Sequence, residues 1–332
     1  MKKAVILFNL GGPDKLESVE PFLFNLFNDP EILSIPSIFR YPLAKFISKR
    51  RAPIAKNIYK EIGNKSPILE LTQQQAVSLE SSLSEKGNYK CFIIMRCWHP
   101  RAIDVIKKVK EFNPEEIILL PLYPQFSAAT SGSSINEWDD LCKKENFNVK
   151  TKIICCYPTE SNFIKSHASL IRKTIQSTES KNFKLLFSAH GLPEIKIKKG
   201  DPYQWQVEET VKRIMMDLKE DNLDHTISYQ SRVGPLKWIG PSTDDEIIKY
   251  SKEKKGIVVV PVAFVSEHSE TLVELDIEYK KLAEKNGCSF YKRVPALGIE
   301  ENFIRGLTDL VLQQETRGNF VSSVMCPNKY VK

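Results

Sequence analysis

Short apolar segments rich in β-branched residues alternate with helical patterns along almost the whole chain, and this alternation limits the fold more than any other feature. Eight such segments are present, at residues 4–8, 92–95, 117–123, 153–156, 185–189, 227–229, 257–265 and, more weakly, 290–291. Strands that are separated by helices pair in parallel. The runs IILL and IVVV are apolar at every position, so helices must cover both faces of each sheet. The sequence therefore predicts an α/β fold of the doubly wound, Rossmann-like type.

The second set of four segments resembles the first. FNLGGP at 8–13 matches FSAHGLP at 187–193, MRCWHP at 95–100 stands where YQSRVGP at 229–235 stands, and ILLPLYPQFS at 118–127 echoes VVVPVAFVS at 258–266. This pattern indicates an internal duplication into two similar halves, each with a four-stranded parallel sheet. We expect an N-terminal half at 1–150, a C-terminal half at 151–326 and a tail at 327–332.

An insertion of about 45 residues interrupts the first half. Phe8 and Arg96 are 88 residues apart, whereas the matching Phe187 and Gln230 are 43 residues apart. We assign the insertion to about residues 29–67, where apolar residues are interleaved with basic ones. It is either an extra helix packed on the sheet or a greasy lip beside the ligand site that also touches an anionic membrane surface. The two interpretations are compatible.

Composition excludes several function classes. With 332 residues, of which 42% are hydrophobic, the chain is long enough for about two domains. The net charge of +7 is small for this length, and the chain lacks the clustered basic residues of a nucleic-acid binder, so we expect no nucleic-acid partner. No stretch approaches the roughly 20 apolar residues of a membrane span, and no cleavable signal pattern precedes the first strand. We therefore expect a cytoplasmic protein.

Ligands of open α/β sheets bind beyond the carboxyl ends of the strands, so the residues that follow each apolar segment are the candidates for function. His190 directly follows LLFSA and should leave the sheet at that edge. A histidine there is often structural, but neutral imidazole is also a metal ligand and a base near neutral pH. The GGP turn at 11–13 lacks the third glycine of the dinucleotide fingerprint, which argues against a nucleotide site.

The helix predicted after VVVPVAFVS carries a line of carboxylates. At the 3.6 residues per turn of an α-helix, Glu267, Glu270, Glu274 and Glu278 fall within an arc of roughly 80°, flanked by apolar residues, with Ser269, Asp276 and Lys280 opposite. The line is either a surface stripe or a set of carboxylates that point into a cleft, where they can bind a cation or carry protons. His268 is a ligand, a base or a residue that orients Glu270.

Five aromatic residues follow strands at the same predicted edge: Trp98, Tyr123, Phe126, Trp238 and Phe264. Each alone is more typical of a core, but together they indicate a flat slot for a large planar ligand. Arg96 is either a partner for a ligand carboxylate or part of a structural ion pair. The segment at 127–134 offers hydroxyls and backbone N–H groups, including those of Ser127 and Ser131, for another anionic group.

The chain resembles the ferrochelatase family over nearly its whole length. The motifs that carry the resemblance are LGGP (10–13), KRRAP (49–53), YPQFS (123–127), SGSS (131–134), FSAHGLP (187–193), GDPY (200–203), SRVGPLKWIGP (231–241) and SEHSETLVELDIEY (266–279). The resemblance implies two Rossmann-like halves of the chelatase fold and insertion of Fe(II) into protoporphyrin IX to give protohaem, the last step of haem biosynthesis.

The resemblance also implies roles for individual residues. His190 and Glu270 become the metal-binding and catalytic pair in the C-terminal half, with His268 in support and Glu274 and Glu278 as a path for protons or metal. The residues implied to contact the porphyrin are Leu10, Arg96, Tyr123, Ser127, Ser131, Trp238 and Phe264. The insertion at 29–67 corresponds to the hydrophobic lip of the family, which implies peripheral contact with a membrane.

Some positions depart from the family pattern, and some alternatives stay open. Leu10 stands where methionine or tyrosine is common, and Glu267 replaces aspartate; neither change removes a reacting group. The C-terminal tail has the single Cys326 in place of the several cysteines that hold an iron–sulfur cluster in some relatives, so we expect no cluster and no tightly bound cofactor. The alternatives are a chelatase for coproporphyrin or for another metal, and a non-catalytic metal or tetrapyrrole carrier.

Overall fold

The computed structural model describes residues 1–178, 180–219, 223–232, 234–313 and 320–321. The chain divides into two compact units. Unit 1 is Met1–Cys156 with the described residues from Leu307 onward, and unit 2 is Tyr157–Gly306. The division lies close to the expected boundary at residue 150. The segment after Gly306 belongs to unit 1 because Thr308 donates a hydrogen bond to Ser82 (2.9 Å) and a short strand at 320–321 pairs with the sheet of that unit.

Unit 1 is a parallel sheet covered by helices. Its strands are β1 (Lys2–Asn9), β2 (Asn88–Met95), β3 (Glu116–Pro121), β4 (Lys150–Ile154) and the two-residue β9 (Phe320–Val321), in the order β2-β1-β3-β4-β9. Its helices are α1 (Val19–Phe27), α2 (Ser37–Lys60), α3 (Ile68–Ser84), α4 (Ala102–Phe112) and α5 (Ser133–Lys144), with a 3₁₀ turn at Leu16–Ser18 and a π-turn at Ala128–Gly132.

Unit 2 has the same architecture. Its strands are β5 (Phe183–His190), β6 (His225–Gln230), β7 (Gly256–Pro261) and β8 (Tyr291–Arg293), in the order β6-β5-β7-β8. Its helices are α6 (Ser161–Gln176), α7 (Glu194–Lys198), α8 (Tyr203–Leu218), α9 (Thr243–Lys252), a π-helix (Glu270–Glu278) that continues into α10 (Tyr279–Lys285), and α11 (Glu301–Leu312), which spans the division at Gly306.

The predicted strands and their two-sided burial are confirmed. All six residues of β3 and all six of β7 are buried, as the unbroken apolar runs require when helices cover both faces. All pairs in both sheets are parallel. The sheet of unit 1 has the four predicted strands plus the short β9, which no apolar run announced.

The internal duplication appears in the topology. The first four strands of unit 1 and the four of unit 2 have the same spatial order, in which the first strand lies between the second and the third. In both units a cis-proline, Pro100 or Pro241, lies after the second strand, and its carbonyl accepts a hydrogen bond from that strand. A π-wound segment follows the third strand in both units. The two halves therefore share local details as well as a common plan.

Helix α2 lies in the predicted insertion and presents large apolar side chains outward. Its buried residues are the small Ala44, Ser48 and Ala52 together with Tyr59 near its end. Ile38, Phe39 and Phe46 are 75%, 65% and 62% exposed. Single exposed apolar residues are ordinary, but several on one helix mark an interaction surface. Among the described residues, no helix has both the length and the apolar character that crossing a bilayer demands.

Candidate active site

His190 ends β5 and meets a carboxylate there. The strand is buried as far as Ala189, and the imidazole of His190 leaves it with 39% of its side chain exposed. Its Nδ1 lies 3.0 Å from Oε2 of Glu270, the first residue of the π-helix. The two residues are 80 positions apart in sequence. The predicted pairing of a strand-end histidine with the acidic helix is thus present in unit 2.

The charges of the pair support each other. Burial alone would lower the pKa of His190, but the charge and hydrogen bond of Glu270, with a smaller effect of Glu274, raise it above its ordinary value. Burial alone would raise the pKa of Glu270, but His190 and His268 hold it well below its usual range. Glu270 is therefore ionised at neutral pH and accepts the Nδ1–H of His190. This arrangement leaves Nε2 of His190 as the nitrogen that can take a proton or a metal ion.

His268 approaches the same carboxylate oxygen of Glu270 as His190 does. Its Nδ1 lies 3.1 Å from the carbonyl oxygen of Ser266, to which it donates, and its Nε2 lies 3.8 Å from Oε2 of Glu270. The ring of Phe264 packs against the imidazole with the ring centres 4.7 Å apart. The predicted supporting position of His268 is therefore present, and Phe264 packs on that support.

Glu274 is held by donors that the sequence did not single out. Its carboxylate accepts hydrogen bonds from Gln230 Nε2 (2.9 Å), from the backbone N–H (2.9 Å) and hydroxyl (2.5 Å) of Ser231, and from the hydroxyl of Tyr279 (3.0 Å). Burial and the charge of Glu270 nevertheless raise the pKa of Glu274 above its ordinary value. Glu274 is thus a fixed carboxylate that is easier to protonate than a carboxylate in water.

The helix that carries these glutamates is not an ordinary α-helix. From Glu270 to Glu278 it is π-wound, with i→i+5 hydrogen bonding, which is rare and frequent at functional sites. The predicted arc of four glutamates assumed 3.6 residues per turn and does not hold. Glu267 precedes the helix and faces Arg293 instead, and Glu278 is exposed at its end.

Arg293 holds the segment that bears His268 and Glu270. Its guanidinium binds both carboxylate oxygens of Asp276 (2.6 and 2.8 Å) and Oε1 of Glu267 (2.9 Å). Asp276, on the face predicted opposite the glutamates, is thus ion-paired, and 37% of its side chain is exposed. The sequence offered little to predict this role of Arg293, because Arg293 is a basic residue at the end of a strand of three residues.

Trp238 lies next to the end of β5. It forms an isolated antiparallel bridge with Pro193. A Cβ added to Gly191 would lie 3.2 Å from Cε3 of Trp238 and 2.9 Å from the carbonyl oxygen of Gln230. Because Gly191 has no side chain, the indole of Trp238 can approach this residue, which directly follows His190.

Tyr203 is a second contact that sequence reasoning missed. This tyrosine of the GDPY motif is buried, and its hydroxyl lies close to the backbone of His190. Burial raises the pKa of Tyr203 well above its ordinary value, so the residue is a neutral support under the strand end.

Arg96 lies in unit 1, in an ion-paired network. Its guanidinium binds Ser133 Oγ (2.7 Å), Asp29 Oδ2 (3.0 Å) and Glu137 Oε1 (3.3 Å), and Glu137 also accepts a hydrogen bond from Arg101 (2.7 Å). Only 13% of the Arg96 side chain is exposed. Of the two roles that the sequence left open, the structural ion pair is the one observed, and contact with a ligand carboxylate stays a prediction.

The other predicted porphyrin contacts of unit 1 lie at the ends of β1 and β3. Leu10 packs against an apolar cluster of α1 and α2. Tyr123 packs on the core, and burial raises the pKa of its hydroxyl well above the ordinary value. Ser127 accepts the backbone N–H of Ala129 (3.2 Å) and is buried, as is Ser131. In this structure Ser127 caps the π-turn, and binding of an anion by Ser127 and Ser131 stays a prediction.

The aromatic residues of the predicted slot have different environments. Phe126 is 4% exposed and belongs to the core of unit 1, and Trp98 packs on the α1 and α2 cluster of the same unit. Trp238 and Phe264 lie in unit 2, close to His190 and His268 respectively. Each aromatic residue alone was more typical of a core, and Phe126 is indeed a core residue.

Metal-ligand sets are sparse in the described part of the chain. No group of three or more His, Cys, Asp or Glu side chains there is arranged to hold a metal ion. The pair of His190 and Glu270 supplies two donors, and their mutual hydrogen bond would have to break if both bound one ion. Cys326, on which the expectation about an iron–sulfur cluster rests, lies outside the described residues.

Comparison with known proteins gives a consistent result. The profile of the family described as Ferrochelatase matches residues 2–315. A protein named Ferrochelatase from Pelagibacter ubique is 64% identical, covering 100% of this chain and 98% of that protein. A protein of the same name from Rickettsia felis is 50% identical with the same coverage. A solved structure of SirB from Bacillus subtilis with Fe3+ has a TM-score of 0.56 over 93% of this chain and 94% of that one, at 11% identity, which supports the fold.

Proposed function

The chain belongs to the ferrochelatase family, and from that premise we propose that it inserts Fe(II) into protoporphyrin IX to give protohaem, the last step of haem biosynthesis. The observation that carries the proposal is the pair of His190 and Glu270 at the carboxyl end of β5, with Nδ1 and Oε2 3.0 Å apart. Iron and porphyrin are the substrates.

Metal insertion requires that two pyrrole N–H protons leave the porphyrin. Neutral His190 can accept a proton at Nε2, because Glu270 occupies Nδ1 and fixes the tautomer. Glu270 is ionised, so it stabilises the imidazolium that forms, and the raised pKa of His190 strengthens the base. Binding of iron by His190 and Glu270 is the other role that the family resemblance predicts.

The remaining site residues support binding and proton removal in this proposal. Glu274 has a raised pKa and lies on the same helix as Glu270, so it can receive protons. Trp238 and Phe264 offer apolar ring surface close to the pair, and Leu10, Tyr123, Arg96, Ser127 and Ser131 are the proposed contacts from unit 1.

An anaerobic assay of the purified protein tests the proposal and separates its rivals. We expect insertion of Fe(II) into protoporphyrin IX. Activity with coproporphyrin alone would identify a chelatase for the other porphyrin, and binding without turnover would identify a carrier. Replacement of His190 by Ala should lower kcat roughly 10²–10⁴-fold, the usual contribution of a positioned base. His225→Ala is a matched control, because His225 is exposed at the start of β6. Normal turnover by His190→Ala would refute the role of this histidine.

We also propose that α2 makes peripheral contact with an anionic membrane, while cytoplasmic location stays a prediction. The helix exposes several large apolar side chains, and Arg50 and Arg51 are exposed on it. Each basic residue near an anionic surface contributes about 1 kcal/mol, so replacing both by Gln should weaken binding about 30-fold. Sedimentation with vesicles that contain an anionic phospholipid measures this loss, and Lys107→Gln with Lys108→Gln is the control. Equal binding by both double variants would refute the proposal.

A further inference from the structure

A buried tyrosine connects Glu274 to an acid on the surface of unit 2. The hydroxyl of Tyr279 lies 3.0 Å from Oε1 of Glu274 and 3.3 Å from Oδ2 of Asp244. The Tyr279 side chain is buried, whereas Asp244 lies exposed in the first turn of α9. One hydroxyl group thus touches both an interior and an exposed carboxylate.

The π-winding of the helix makes this contact possible. Tyr279 follows Glu274 by five residues, and in an α-helix residues five apart point about 140° away from each other. In this π-helix the backbone hydrogen bonds run from i to i+5, and the backbone N–H of Tyr279 accordingly donates to the carbonyl oxygen of Glu274. The π-helix ends at Glu278, and Tyr279 is the next residue. The unusual winding therefore aligns Glu274 with Tyr279.

We propose that Tyr279 relays protons from Glu274 to Asp244, so that protons displaced from the porphyrin leave unit 2 through this hydroxyl. The inference rests on the proposed function, which supplies the protons. The carboxyl O–H of protonated Glu274 donates its proton to the oxygen of Tyr279, while the O–H of Tyr279 passes its own proton to the carboxylate of Asp244. Glu274 is left as a carboxylate, and Tyr279 is neutral before and after. Asp244 then releases the proton to water, and rotation of the Tyr279 hydroxyl restores the starting state.

The surroundings of Glu274 suit it to start the relay. The groups around its carboxylate are the neutral donors Gln230 and Ser231, with the charges of Glu270 and His190 nearby. The raised pKa of Glu274 means that it accepts a proton more easily than an exposed carboxylate does. Its hydrogen bonds keep Oε1 directed at Tyr279.

The relay differs from the path that helix periodicity predicted. That path continues from Glu274 to Glu278, four residues later. Glu278 is exposed, and within the part of the chain that the structure describes its carboxylate has no hydrogen bond to Glu274. Tyr279 has that hydrogen bond. The two paths therefore predict that substitution of different residues lowers the rate: Glu278 for the first path and Tyr279 for the relay.

Steady-state kinetics of Fe(II) insertion with two single variants, Tyr279→Phe and Asp244→Asn, tests the relay. We expect kcat to fall about tenfold or more in each, since a positioned proton-transfer group contributes roughly 10²–10⁴-fold and water replaces part of a relay. KM for the porphyrin should not change. Added imidazole, a small diffusible base, should restore much of the lost rate. Tyr250→Phe, in the same core cluster as Tyr279, and Asp245→Asn, in the same helical turn as Asp244, are the controls and should keep the kcat of the wild type.

Several results would overturn the relay. They are a normal kcat in both variants, a loss of rate that imidazole does not restore, or a loss in Glu278→Gln while Tyr279→Phe turns over normally. If circular dichroism shows that Tyr279→Phe is unfolded, the surface variant Asp244→Asn decides by itself. A wild-type protein that inserts no iron would refute the proposed function, whereas an active wild type with normal variants refutes only the relay.

Discussion

Replacement of Arg293 by Met should destabilise unit 2 by several kcal/mol. Three short hydrogen bonds, of 2.6, 2.8 and 2.9 Å, join its guanidinium to Asp276 and Glu267. Only 10% of the Arg293 side chain is exposed, against 23% for Glu267 and 37% for Asp276. Removing one partner of a buried ion pair costs about 3–5 kcal/mol. Water reaches both carboxylates and reduces that penalty, so we expect about 3 kcal/mol.

The same reasoning predicts the thermal and acid behaviour of the Arg293→Met variant. Domains of 150–250 residues lose about 2–4 °C of Tm per kcal/mol, so the transition of unit 2 should fall by about 6–12 °C. Burial alone would raise the pKa of Glu267, but Arg293 brings it below the ordinary 4.5. A lowered carboxylate pKa stabilises the folded state above the unfolded pKa, and this contribution is lost as pH falls through the folded pKa. The difference between wild type and variant should therefore shrink below pH 4.5.

Urea and thermal denaturation followed by circular dichroism measure these effects. Arg305→Met is the matched control, because Arg305 is 60% exposed and makes one pair, with Glu301 at 3.3 Å, which contributes about 0.3–0.5 kcal/mol. Arg293→Lys should lie between the two, since one ammonium group cannot reproduce the planar fork of a guanidinium. If Arg293→Met is as stable as Arg305→Met, the guanidinium does not hold this segment together.

Two further predictions concern the pH profile and the packing of unit 2. The acid limb of the pH profile of kcat/KM should lie above the ordinary histidine pKa of 6.5, because Glu270 raises the pKa of His190 and the neutral imidazole is the base. Glu270→Gln should move that limb to lower pH. A limb that does not move in pH-dependent kinetics would contradict the assignment. Gly256→Ala should lower the free energy of unfolding by about 1–3 kcal/mol through overpacking, because the added Cβ would lie 2.1 Å from the Phe290 ring. In a Phe290→Leu background most of that loss should disappear. Urea denaturation measures both, and an equal loss in the two backgrounds would show that Phe290 is not the obstacle.

Sequence patterns predicted the site most accurately where it depends on strand ends. The position of His190 at the carboxyl edge of a parallel sheet follows from a run of buried residues that stops one residue earlier. The helix after β7 was less predictable, because its phase was calculated for 3.6 residues per turn and the segment is π-wound. In this segment Tyr279, which an α-helix would turn about 140° away from Glu274, contacts that carboxylate, and Asp276 pairs with Arg293.

The sequence by itself determined that the chain contains two similar parallel sheets. Apolar runs and helical periods are local properties of the sequence, and their alternation fits parallel sheets that are covered by helices on both faces. It also placed the histidine and the carboxylates at a common edge. The tertiary structure decided which atoms meet: Nδ1 of His190 faces Glu270 across 80 residues of sequence, and Arg96 lies between Asp29 and Glu137. Hydrogen bonds form only within a few tenths of an ångström and a narrow range of angles. Packing between segments distant in sequence sets such distances, and no local pattern encodes them.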